Sequence, residues 1–167
     1  FTASPTNSAG KSITAYAMWG MNIDGSKKRK LFEFSTAQGA IVRPSLTSLL
    51  PDEPNHIMIS ENSRRGSVDD YYKLNIITGA KKRVANGPDV DDSEWINNVV
   101  VRPDGTPLAA VSNRLDEWRI WRYFPEQKKW EVHFTNKCQK PTFFPLSGSD
   151  DTWLVAGQDV SKYDNFN

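Results

Sequence analysis

One arrangement recurs along this chain of 167 residues. An apolar-alternating run enters a tight polar turn, and a short basic run leads out of it into a second apolar stretch. It reads YKLNIITGAKKRVANG from Tyr72 to Gly87 and MWGMNIDGSKKRKLFEF from Met18 to Phe34. A third copy, WRYFPEQKKWEVHF from Trp121 to Phe134, carries Pro-Glu-Gln in place of the glycine turn. Gly25 and Gly79 lie 54 positions apart, and Glu126 follows 47 later. A second hairpin keeps similar time in LLPDEPNHIMIS, VRPDGTPLAAVS and FPLSGSDDTWLVAG, with Pro51 and Pro103 52 positions apart. Alternation of period two with β-forming residues is the pattern of a half-buried strand. Two interleaved hairpins per period make four strands per unit, and such a unit has apolar faces it cannot cover alone. Stacking like units buries them.

The pattern places strands at 44–50, 55–60, 70–77 and 81–85 in one complete unit, and at 95–102, 107–112, 117–124 and 129–134 in the next. A remnant precedes them (13–23 and 29–34), and a partial unit follows (141–146, 152–157 and 162–167). No window holds helical i, i+3, i+4, i+7 spacing over three turns, so the class is all-β. A four-stranded unit with a period near 50 is the signature of a β-propeller blade. Residues 1–167 therefore read as a partial propeller: a remnant at 13–34, blades at 44–85 and 95–134, and a partial blade at 141–167. About three and a quarter blades make an open, incomplete ring. The chain begins at Phe1 and stops at YDNFN inside an expected strand, which reads as a piece of something longer. Two open arcs pairing as a homodimer would supply 26 strands, near a seven-bladed total.

Composition narrows the function. Apolar residues make up 38%, charged residues 25%, and the formal net charge is +1, so no whole-chain attraction to nucleic acid or membrane is expected. No apolar run approaches the roughly 20 residues of a spanning helix, and no signal-peptide pattern is present. Cys138 is the one cysteine, which excludes an internal disulfide and leaves a soluble protein's compartment, cytoplasmic or periplasmic, open.

Motifs that would carry chemistry fail on context. GKSIT (Gly10 to Thr14) lacks the last glycine of a nucleophile elbow and leads into a strand. His56 and His133 sit in β-patterns with no placed partner. PTNSAGKS (Pro5 to Ser12) has Pro5 where a phosphate loop needs its first glycine. DVDDSEW (Asp89 to Trp95) has Glu94 at the glycine position of a calcium loop and reads as a turn between units. SRRGSVDD (Ser63 to Asp70) matches a basophilic kinase target at Ser67 and reads as a flexible loop between second and third strands. No catalytic, cofactor-binding or metal-binding residue is expected.

The basic runs at Lys27–Lys30, Lys81–Arg83 and Lys128–Lys129 fall at equivalent places in three successive units. A phosphate track would use them, but protection of outermost strand edges against pairing is the better reading at this net charge. Trp19, Trp95, Trp118, Trp121, Trp130 and Trp153 lie in or beside expected strands and read as packing between units.

YYKLNIITGAKKRVANG resembles the third strand, turn and fourth strand of blades in the prolyl oligopeptidase family of serine peptidases, including its acylaminoacyl-peptidase-like branch. SLLPDEPNHIMIS resembles the first hairpin of those blades, and VVVRPDGTPLAAVSNRLDEWRIWRYF is similar both to them and to the Asp-Gly-turn repeats of TolB-like propellers. The resemblance spans roughly Ile13 to Phe166. It implies a non-catalytic propeller that caps an α/β-hydrolase domain carrying a Ser-Asp-His triad, with that domain supplied by the same parent chain outside this stretch. Peptides would be the substrates, and the propeller would gate their access. Arg64, Arg65 and Arg114, in loops after second strands, are the gating candidates it implies. The rival reading is a TolB-like propeller that serves as a protein-docking platform with no enzyme attached.

Overall fold

The computed structural model describes residues 17–33, 35–37, 40–65, 68–91, 93–115, 117–137, 143–148 and 153–157. Among them the secondary structure is all strand and turn, with no helix. Strands β1 (Ala17–Gly20) and β2 (Arg29–Glu33) form one hairpin, and β3 (Ser35–Ala37) and β4 (Ala40–Val42) a second. A first four-stranded sheet follows: β5 (Ser45–Leu49), β6 (His56–Arg65), β7 (Val68–Asn75) and β8 (Lys81–Ala85). The second contains β9 (Trp95–Val101), β10 (Pro107–Arg114), β11 (Glu117–Phe124) and β12 (Lys129–Lys137). Strands β13 (Phe143–Gly148) and β14 (Trp153–Gly157) form a last hairpin. Both four-stranded sheets are antiparallel meanders in chain order.

All eight strands expected in 44–85 and 95–134 are present. One expected loop needs correction, one hairpin was not expected, and two expected stretches fall outside the described residues. The Ser63–Asp70 loop is mostly strand, because β6 runs to Arg65 and β7 starts at Val68; Ser67 lies outside the described residues. The β3–β4 hairpin was not expected, since its three-residue strands are too short to show alternation. Residues 13–16 and the third strand at 162–167 lie outside the described residues.

Short polar side chains close the turns. Asp24 Oδ1 accepts the Ser26 amide at 2.9 Å, and Asp104 Oδ1 accepts the Thr106 amide at 2.8 Å. Asn75 Oδ1 takes the amides of Ile77 and Thr78. Each fold-back thereby satisfies donors that no ladder could reach. Gly25, Gly79 and Gly105 hold left-handed backbone (φ 80°, 78° and 84°), which a residue without Cβ adopts at little cost. In the third hairpin that conformation falls on Lys128 (φ 51°), two residues beyond the expected turn centre at Glu126.

The strands alternate as written, and that alternation stacks the sheets. Ile57, Ile59 and Leu74 leave the first sheet on one face and pack against Met18, Leu31 and Phe32 of the β1–β2 hairpin. Met58 and Tyr71 leave on the other and join Ala110, Trp121, Tyr123 and Trp130 of the second sheet in the main core. Burying each such side chain contributes about 1.5–3 kcal/mol. Two glycines let backbone come close here. A Cβ on Gly87 would lie 2.2 Å from the Asp69 carbonyl oxygen, and one on Gly105 would lie 2.9 Å from Met58 Sδ. The Asp-Gly turn of the second sheet is thus pressed onto the face of the first.

The basic runs begin the edge strands β2, β8 and β12, as edge protection requires. One cation of each run is neutralised locally: Lys30 by Glu33, Lys81 by Glu61 and Lys129 by Glu131. Trp121 and Trp130 are buried between the sheets as expected, but Trp19 and Trp95 are about half exposed. The Trp153 side chain lies outside the described residues.

Candidate functional site

The expected gating arginines end the second strand of each sheet, and the structure binds two of them into ion pairs. Arg64 donates from Nε and Nη2 to the two carboxylate oxygens of Asp70, both at 2.7 Å. This fork-to-fork pairing is the strong geometry for a guanidinium. Asp70 is fully buried and also accepts the Gly87 amide at 3.0 Å. Burial alone would raise its pKa. The Arg64 hydrogen bonds, the Gly87 amide and the charges of Arg64 and Arg83 outweigh burial and hold it below 3.8. Arg64 therefore anchors the strand that leads to the second sheet. Arg114 donates to Asp91 Oδ2 at 2.9 Å in an exposed pair, which contributes little to stability. The Arg65 side chain lies outside the described residues.

Sequence reasoning missed a buried chain of polar groups at the start of β9. Glu94 is fully buried and accepts a short hydrogen bond from Ser112 Oγ and another from Arg119 Nη1 at 3.0 Å. Ser112 Oγ in turn accepts Trp121 Nε1–H at 2.7 Å, and Arg119 also reaches Glu117. Glu94 was visible only as the residue that spoils a calcium loop. Its role is to tie the linker to the second sheet. The sequence signal was a charged residue directly ahead of an apolar strand, which occurs on many surfaces.

Between the edge strands β5 and β9 the two sheets leave a cleft of about 300 Å³. Ser60, Asp69 and Tyr71 line it from the first sheet, and Asn97 and Asn98 from the second. Asp69 Oδ2 accepts Ser60 Oγ–H at 2.7 Å. Burial raises the Asp69 pKa above 3.8, and the Ser60 hydrogen bond and the Arg43 charge offset that only in part. The Tyr71 hydroxyl is buried and has no hydrogen-bond partner among the described residues, and burial followed by the nearby Asp69 and Asp70 charges drives its pKa well up. The cleft presents a carboxylate, hydroxyls and amides as its polar groups. Ser60 faces a carboxylate, not an imidazole. His56 lies against Glu53 and Asn75, each 3.2 Å away, at the far end of β6. Among the described residues no three His, Cys, Asp or Glu side chains converge as a metal site, and no helix is long and apolar enough to cross a membrane.

Comparison with family models, curated proteins and solved structures gives no match to this chain.

Proposed function

We propose that this chain is a non-catalytic segment of a β-propeller that gates peptide access to an α/β-hydrolase domain carried elsewhere in a prolyl-oligopeptidase-like parent. One observation supports it above the others. Two four-stranded meanders of similar period stack face to face, and their first strands, β5 and β9, lie side by side. Repeated around an axis, that relation sets the first strands on an inner channel and the fourth strands outside. The polar cleft between β5 and β9 would open on the channel, where an extended peptide passes. Arg114, exposed at the end of β10, would sit near one mouth of it, with Arg64 and Arg65 at the matching end of β6.

The test is to express the full reading frame and treat it with a fluorophosphonate that labels activated serines. The expected result is labelling of the parent, none of residues 1–167, and faster cleavage of short peptides than of folded proteins. Absence of any labelled domain in the parent would overturn the gating reading. A TolB-like docking platform is the second reading, favoured by the exposed apolar groove beside β1. Two such arcs would pair through their open faces, so light scattering should show a dimer; a monomer at high concentration would sink that pairing.

A further inference from the structure

The cleft between β5 and β9 is flanked by two sheets that each have all four strands of their unit, so no strand of this chain is missing between them. Its deep end is polar: Tyr71 is 1% and Ser60 8% exposed, with Asp69 half-buried beside them. Its walls are partly apolar, made by Leu46 on β5 and by Ile96 and Val99 on β9. Asn97 and Asn98 stand exposed at the rim.

Two groups at the deep end lack the partners that burial calls for. The Tyr71 hydroxyl has none among the described residues, and a buried hydroxyl without a hydrogen bond is rare in native proteins. Asp69 accepts one hydrogen bond, from Ser60 to Oδ2 at 2.7 Å, and forms no ion pair among the described residues. Its neighbour Asp70 is held by Arg64 and Glu61 by Lys81, whereas the Arg43 charge only partly offsets the burial of Asp69. The charge of Asp69 is felt at the Tyr71 hydroxyl, so the two groups share one space.

Asp69 Oδ1 and the Tyr71 oxygen are thus acceptors in a negative field, which favours a donor that carries positive charge. Asn97 spends its amide N–H on Asn113 at 2.6 Å, which leaves its carbonyl oxygen as a third acceptor. An ammonium has three donors and no acceptor, and it matches this set. A metal ion fits it less well, because no three His, Cys, Asp or Glu side chains converge among the described residues. The apolar walls add a requirement for the rest of the ligand. An unbranched alkyl stem can lie against Leu46, Ile96 and Val99 while its charged head reaches the polar end.

We propose that the β5–β9 cleft binds a primary alkylammonium group, either a lysine side chain of an extended segment or a free small amine, with Asp69 as its counter-ion and Tyr71 Oη as a second acceptor. Within the proposed function it would make the channel wall selective for lysine-bearing peptides, but the inference rests on the cleft and not on the hydrolase.

The test is amide NMR of the 167-residue chain, titrated with acetyl-Gly-Lys-Gly-amide and separately with n-butylammonium chloride. The expected result is saturable shifts confined to residues 45–47, 60, 69–71 and 96–99. Binding should be lost when norleucine replaces the peptide lysine, and should weaken about tenfold or more in Asp69→Asn. Tyr71→Phe should weaken it by about threefold to tenfold while its thermal midpoint holds or rises, since an unpaired hydroxyl leaves the core. A merely structural role for Tyr71 would not separate the two readouts. Tighter binding of the peptide would support a lysine side chain as the ligand, and equal binding a free amine. No saturable shift with either probe, equal binding of the norleucine peptide, or undiminished binding in Asp69→Asn would each overturn the proposal. Serine labelling of the parent does not depend on this cleft, so failure here leaves the proposed function standing.

Discussion

The two four-stranded sheets place their third and fourth strands in the same register, with Leu74 opposite Lys81 in the first and Tyr123 opposite Trp130 in the second. The first pair faces a two-stranded hairpin, and the second faces a four-stranded sheet. Under partial cover the fourth strand carries a lysine, whose ammonium sits 4.7 Å from the Tyr72 ring centre and 2.6 Å from Glu61. Under full cover it carries a buried tryptophan, 5.0 Å from the Tyr123 ring and 6.0 Å from Tyr71, donating Nε1–H to the Asn86 carbonyl. The amount of neighbouring surface, not the strand's place in its own sheet, sets which side chain the position tolerates. A long cation can bury its stem and keep its head wet; an indole needs a closed apolar wall.

The largest test of that contrast is truncation at the two matched positions. Trp130→Ala should cost about 3–5 kcal/mol, and Lys81→Ala no more than about 1 kcal/mol, measured by denaturant unfolding. Similar losses at both would break the comparison.

The turns differ in the same sense. A Cβ at Gly79 meets nothing within 4 Å, whereas one at Gly105 meets Met58, Leu50 and Lys73. Gly79→Ala should therefore cost only the left-handed backbone, about 1–2 kcal/mol. Gly105→Ala should cost about 2–4 kcal/mol because overpacking is added. Met58→Ala in the same chain should recover part of the extra loss, and strict additivity would mean that the turn does not press on the first sheet.

Asp69 and Asp70, neighbours on β7, sharpen the comparison by pH. The folded pKa of Asp70 is depressed below 3.8, so its contribution is present above that value and lost as pH falls through the folded pKa. Asp70→Asn should destabilise by about 1.5–3 kcal/mol at pH 7, with the gap closing in acid. Asp69 is shifted the other way, so its ionisation weakens the fold as pH rises from 3.8 through its folded pKa. Asp69→Asn should gain on the parent protein over that rise. Parallel pH profiles for the two variants would contradict the opposite environments of the two carboxylates.

The smallest effect belongs to Lys128, which holds φ 51° where the first sheet's hairpin uses Gly79. Lys128→Gly should stabilise by about 0.5–1 kcal/mol in thermal unfolding, the strain relief being partly offset by glycine's greater loss of freedom. No gain would mean that the third hairpin relaxes elsewhere.

The meanders were legible because alternation is local: Ile57 and Ile59 against Met58 and Ser60 can be read without knowing what they face. The glycine turns were legible for the same reason. The tryptophans were not, since Trp95 and Trp121 sit in equally β-like strings and only one of them meets a second sheet. Nor was the candidate site. Arg64 and Arg114 look alike in sequence, yet one meets a buried aspartate and the other an exposed one. Asp70 reaches Arg64 from six positions along the chain through the β6–β7 pairing, and Asp91 reaches Arg114 from 23 positions away in the inter-sheet linker.

The sequence by itself determined the all-β class, the four-strand unit and its period, because turn chemistry and side-chain alternation act between residues a few positions apart. Tertiary structure alone decided which faces are closed, which carboxylate is held ionised and which is pushed toward its neutral form. Those outcomes depend on cover and dielectric supplied by residues far along the chain: Trp130 is closed in by Tyr71 and Asn86, and Glu94 is satisfied by Ser112 and Arg119.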